Sequence, residues 1–243
     1  MDFTPVALPG VSMTEPCFYP QARQIVRAVL ETKDLRNIMQ ASDAIVDRTR
    51  LSYEQWGAHQ NPSVYAYIGD VYKGFFARTL GYDDIRWAQE HILILSGLYG
   101  ALRPLDAISG YRLEMKAKLP VGRAKDLYAF WGDTVAQMVD EKAGGVICVL
   151  SSDEYAKIVT VHTKSRIVTP VFLDKKPNGS IGTVPIYSKM MRGVMARWII
   201  DNRIDTPEGL SDFSKHDYAY DAKNSTPDRP AFYREVMTPL RFA

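Results

Sequence analysis

The residues with most to offer chemically lie between Asp83 and Met115. An apolar run there ends in Leu95-Ser96-Gly97-Leu98-Tyr99-Gly100-Ala101, and Arg103 follows at once. Gly97 and Gly100 remove two Cβ atoms from one turn, which lets backbone N–H groups come close to an anion, and Arg103 can add a charge-assisted hydrogen bond. Helix, Gly-x-x-Gly turn and second helix together make the pattern of a helix-hairpin-helix, an element that grips a nucleic-acid backbone without reading base sequence. A helix end followed by any new helix writes the same letters, and Pro104 cuts the second helix short. Gly69-Asp70-Val71-Tyr72-Lys73-Gly74 also sets glycines around a lysine. No Gly-Lys-Ser/Thr triplet follows it, so a strand-to-helix turn is expected in place of a nucleotide loop.

Charge supplies the other candidates. Lys189, Arg192 and Arg203 share one face of a helix read over Lys189–Arg203, where a solvated basic face and an anion-binding face are both open readings. Asp153 and Glu154 follow a run read as a strand, Val146–Leu150, at the end where α/β proteins carry functional loops. Close carboxylates can do acid–base work when one is held protonated, and the same two residues can equally start a helix as first-turn acids. Ser96, Ser151 and Ser152 lack the elbow context of a serine nucleophile. The four histidines, His59, His91, His162 and His216, are too scattered to suggest a metal site, and no cofactor motif appears.

These residues need elements to hold them. The chain of 243 residues is 46% hydrophobic and 24% charged with net charge +2, ordinary globular values that announce no basic tail. Helical spacing is read at Ala22–Val29, after Pro20, and at Leu35–Thr49 as one further helix. An aromatic passage (Tyr53, Trp56, Tyr65) leads to a short strand at Val64–Ile68. A helix capped by Asp83 or Asp84 buries Ile85, Ala88, Ile92 and Leu95. Another runs from Asp126 to about Glu141 before Val146–Leu150, a strand apolar enough to be buried on both faces. Arg166–Leu173 and Gly182–Ser188 read as strands joined through Asn178-Gly179, ahead of a last helix. Residues 1–19 are expected as an extended arm and 223–243 as a tail over the surface. Without repeats or linkers, one α+β domain over 1–243 is expected, a mixed sheet surrounded by helices. Cys17 and Cys148 form no metal pair, no signal peptide is evident and no run approaches a membrane span, which places the chain in the cytoplasm.

Several blocks resemble one family. Gly69-Asp-Val-Tyr-Lys-Gly74, Leu95-Ser-Gly-Leu-Tyr-Gly-Ala-Leu-Arg-Pro-Leu-Asp106, Tyr111-Arg-Leu-Glu-Met115, Lys125-Asp-Leu-Tyr-Ala-Phe-Trp-Gly132, Ser152-Asp-Glu-Tyr155, Pro170-Val-Phe-Leu-Asp174 and Arg192-Gly-Val-Met-Ala-Arg197 are similar, in order and spacing, to the YaaA family of bacterial peroxide-stress proteins. The likeness runs from about Asp2 to Ala222. It implies a single α+β domain with a positively charged cleft and a helix-hairpin-helix at the 95–103 turn. It also implies binding of duplex and branched DNA, and a role in limiting iron-dependent peroxide damage. On that reading Ser96, Gly97, Tyr99, Gly100 and Arg103 form the hairpin contact, while Lys73, Arg112, Lys189 and Arg192 line the cleft. Relatives usually begin with a hydrophobic strand and a Ser-Pro-Ala-Lys-Thr segment that this sequence does not show, so an unpaired sheet edge and a lost cleft lysine are expected. The alternative is an enzyme acting on a small anionic or nucleotide-like ligand in that cleft, with Tyr72, Arg112, Asp153 and Glu154 as its polar residues.

Overall fold

The computed structural model describes residues 1–6, 10–236 and 238–240. The architecture is mixed α+β, with helices and several small sheets. Two compact units form: residues 1–67, 85–142 and 152–163 make the first, and residues 68–84, 143–151 and 164 onward make the second. Among the described residues no helix is long and apolar enough to cross a membrane.

In the first unit the helix Tyr19–Glu31 starts with Pro20 in its first turn and buries Ala22, Ile25, Val26 and Val29, as the apolar spacing predicts. The expected second helix is two, Leu35–Met39 and Asp43–Glu54. Gln40 breaks it by taking a left-handed conformation with φ 48°. Ser63–Ala66 is a fully buried helical turn where a strand was expected. The Ser63 and Val64 N–H groups donate to the Asp106 and Pro104 carbonyls, which occupies the backbone that a strand would need. The described residues of the expected N-terminal arm, 1–6 and 10–19, are tied down at points: Asp2 N–H donates to the Ala66 carbonyl, and Thr14 pairs with Asp106 in an isolated parallel bridge.

The largest correction falls on the centre of the sequence. The helix Tyr82–His91 buries Ile85 and Ala88 but stops there, and Ile92 and Leu95 do not continue its stripe. Ile94–Ser96 and Gly100–Leu102 are instead two strands of an antiparallel hairpin, with Leu95 opposite Ala101. Helix-hairpin-helix geometry is therefore absent from this stretch. Gly100 has φ +68°, a left-handed value that turns the chain back on itself and that side chains resist. Further on, Gly132 at φ +50° splits the expected 126–141 helix into Leu127–Trp131 and Thr134–Lys142. Asp126 caps the first of these by accepting from the Ala129 N–H at 2.8 Å.

The second unit holds the mixed sheet. Its strand order is Ile181–Gly182, Val171–Lys175, Ala231–Arg234, Tyr218–Tyr220 and Ser214–Lys215. Val171–Lys175 and Ala231–Arg234 run parallel; the other neighbours are antiparallel. The centre of the sheet thus comes from residues 231–234, which sequence reading assigned to a surface tail. Arg166–Val168 pairs with Val146–Cys148 in a separate parallel pair, because Thr169-Pro170 interrupts what was read as one strand. Val146–Cys148 is half-buried to exposed, short of the two-sided burial expected. The last long helix begins at Pro185, well before Lys189, and runs to Asn202.

Candidate functional site

The glycine hairpin faces inward. Ser96, Gly97, Leu98, Tyr99, Gly100, Ala101 and Leu102 are all buried. The Ser96 hydroxyl oxygen accepts from the Tyr99 N–H at 2.9 Å and lies 2.7 Å from the Tyr111 hydroxyl, which is 2.6 Å from the Tyr67 hydroxyl. The Tyr99 oxygen accepts from Trp56 Nε1 at 2.8 Å and from the Ser109 N–H at 3.1 Å. Trp131 Nε1 donates to the Gly97 carbonyl at 3.1 Å. Both glycines are required by close approach: a Cβ on Gly97 would lie 2.8 Å from the Leu113 carbonyl oxygen, and one on Gly100 would lie 2.8 Å from the Trp131 ring. Burial pushes the Tyr99 phenol up to about 12 and Tyr111 well above its ordinary range, so both stay protonated as hydrogen-bonding groups. The turn is a core joint, and it presents none of its side chains to a phosphate.

Arg103 is likewise engaged. Its Nε and Nη2 donate to Asp106 Oδ1 at 3.1 and 2.9 Å, its own N–H donates to Oδ2 at 2.8 Å, and Nη2 reaches the Glu15 carbonyl at 3.2 Å. Asp106 is fully buried and also accepts from the Thr14 hydroxyl at 2.6 Å. This ion pair locks the loop after the hairpin to residues 14–15. Arg112 is exposed in the same unit.

The other predicted cations sit in the second unit. There the helix Asp70–Phe75 crosses Pro185–Asn202 at backbone contact distance. A Cβ on Gly74 would stand 2.1 Å from the Met190 carbonyl oxygen, and one on Gly193 would stand 1.8 Å from that of Val71. This crossing explains Gly74, which seats a helix against a helix, while Gly69 stands at the N-cap of the shorter one. Lys73 and Arg192 each precede a crossing glycine, and Lys189 lies one turn before Arg192. Lys73 pairs with Asp70 at 3.1 Å, while Lys189 and Arg192 have no acidic partner among the described residues. Arg203, read from sequence as part of this basic face, donates to Asp84 at 2.7 Å. That hydrogen bond holds the Asp84 carboxyl below its ordinary value.

The candidate acid–base pair does not assemble. Asp153 and Glu154 open the helix Asp153–Thr160. Glu154 Oε1 accepts from the Lys116 N–H at 3.2 Å, and its carbonyl accepts from the Tyr128 hydroxyl at 2.9 Å. Tyr72 belongs to the second unit, and Arg112, Asp153 and Glu154 belong to the first. No group of three His, Cys, Asp or Glu suited to a metal ion occurs among the described residues.

Sequence reading missed one charged cluster altogether. Asp174 and Arg234 are fully buried, with Arg234 Nε and Nη2 on Asp174 Oδ1 at 2.9 and 2.7 Å and the Tyr218 hydroxyl donating to the same oxygen at 2.8 Å. The guanidinium lies 4.7 Å from the ring centres of both Tyr187 and Tyr218. The one available signal was Ala231-Phe-Tyr-Arg234 itself, a short β-prone run after Pro230.

Comparison with known proteins is consistent across the chain. A family model described as peroxide stress protein YaaA matches residues 1–224. A UPF0246 protein of Bordetella pertussis is 40% identical over 235 residues, which covers 91% of each chain. One from Leptothrix cholodnii is 42% identical over 237 residues, 92% of this chain and 91% of its own. One from Paracidovorax citrulli is 37% identical over 247 residues, 97% and 95% respectively. With a match of that extent and those relatives, the chain belongs to the YaaA family of peroxide stress proteins.

Proposed function

We propose that this protein binds duplex and branched DNA through the phosphate backbone and thereby limits iron-dependent peroxide damage. What supports the reading is the pair Lys189 and Arg192, one helical turn apart and without acidic partners among the described residues. Lys73 stands beside the same glycine crossing, and its exposed pair with Asp70 is weak enough to exchange for a phosphate. The interface is therefore assigned to Lys73, Lys189 and Arg192 of the second unit. The 95–103 turn takes no part in it. Contacts of this kind position a protein on DNA without reading bases, so weak sequence preference follows.

Salt titration tests the assignment. Each phosphate contact adds about 0.9 to the magnitude of the log affinity against log salt slope on duplex DNA. Lys189→Ala with Arg192→Ala is expected to lower that magnitude by about 2 for duplex and junction alike. An unchanged slope and affinity in the double variant removes these cations from any DNA interface.

A further inference from the structure

The first unit carries an open groove of about 550 Å³ that no residue discussed so far as functional lines, bounded by Pro20, Arg23, Arg27, Leu30, Glu31 and Trp56. That size falls in the range of about 300–1,000 Å³ typical of small-ligand sites. Arg23 and Arg27 are exposed on the helix Tyr19–Glu31, one turn apart on one face, and neither has an acidic partner among the described residues. Like charges at this spacing repel, so the helix gains nothing from the pair unless an anion bridges it. Two arginines one turn apart can each donate to the oxygens of a phosphate monoester.

The rest of the groove is of another kind. Pro20, Val26, Leu30 and Trp56 give it an apolar wall. Trp56 is fixed in advance: its ring stacks on Tyr19 at 4.9 Å and 18°, and its Nε1 is held by Tyr99. Gln24 and Glu31 add an amide and a carboxylate, which suit the hydroxyl and amino donors of a sugar or a base.

We propose that this groove binds a nucleoside monophosphate, its phosphate between Arg23 and Arg27 and its base against the wall of Pro20, Leu30 and Trp56. The site uses no residue of the proposed DNA interface, so either assignment can fail alone.

Calorimetric titration of the full chain with adenosine 5′-monophosphate, adenosine and inorganic phosphate tests it. Saturable binding of the monophosphate is expected, with adenosine and phosphate each much weaker. Replacing one charge-assisted contact costs about tenfold in affinity, so Arg23→Gln with Arg27→Gln is expected to weaken the monophosphate about a hundredfold. Arg36→Gln, whose side chain pairs with Asp43, serves as the control and leaves binding unchanged. Both sites of substitution are exposed, so thermal unfolding should be unaltered. No saturable binding overturns the proposal, as does equal affinity for adenosine or in the double variant. A double variant that lowers the salt slope for duplex DNA while leaving monophosphate affinity intact also overturns it, and moves the two arginines to the DNA interface.

Discussion

Gly193→Ala is the sharpest test of how the second unit is built. The new Cβ would meet the Val71 carbonyl oxygen at 1.8 Å and the Phe75 N at 2.7 Å. Both are backbone atoms of the facing helix, so no rotamer change relieves the clash. Reaching an ordinary contact of about 3.4 Å requires the two helices to part by roughly 1.5 Å, and a gap of that order forfeits much of the dispersion energy across the crossing. Overpacking of this type costs about 1–3 kcal/mol or more, and a clash with backbone belongs at the upper end. Alanine returns up to about 1 kcal/mol of helix propensity. The net expectation is a loss of about 2–3 kcal/mol, or roughly 4–12 °C in Tm for a chain of this size. Urea unfolding followed by fluorescence reads it directly, since Trp198 lies on the same helix and is buried. Gly69→Ala is the matched control: its Cβ would lie 4.0 Å from the nearest atom, Tyr72 Cδ2, and it should cost less than about 1 kcal/mol. If Gly193→Ala unfolds within about 0.5 kcal/mol of the parent, the helices are not in backbone contact and the explanation of the glycine pattern fails.

Three further outcomes follow from the same geometry. Arg103→Ala should leave the salt slope of DNA binding unchanged while lowering stability by about 3 kcal/mol or more, because it strands the buried Asp106 carboxylate; a reduced slope with intact stability would return Arg103 to the interface. Asp174→Asn should cost about 3–5 kcal/mol by leaving the buried Arg234 guanidinium uncompensated, and a loss below about 1 kcal/mol would refute the buried pair. Asp84, held below its ordinary 3.8 by Arg203, contributes stability that is complete above that value and fades as pH falls through it. An acid titration of stability should therefore be shallower below about pH 4 in Asp84→Asn than in the parent, and superimposable curves would sink the assignment.

What the sequence disclosed, it disclosed through local rules. Proline in the first turn with Ala22, Ile25, Val26 and Val29 at helical spacing placed the first helix, and Asp126 behaves as the cap its type suggests. What it concealed depended on partners far away in the chain. Gly97 and Gly100 look the same whether they admit a phosphate or, as here, the Leu113 carbonyl and the Trp131 ring, and only the positions of those distant residues decide between the two. Residues 231–234 read as tail because their burial is conferred by Val171–Lys175, some sixty positions earlier, through a parallel pairing that leaves no local turn signal. The same limit bears on charge. Arg103, Lys189 and Arg192 are equivalent as letters, yet a fully buried aspartate three residues downstream consumes the first and leaves the other two available. A basic residue in this family is thus a candidate for DNA only after its acidic neighbours in space have been counted. That count shifts the expected contact from the glycine turn to the face of the helix Pro185–Asn202.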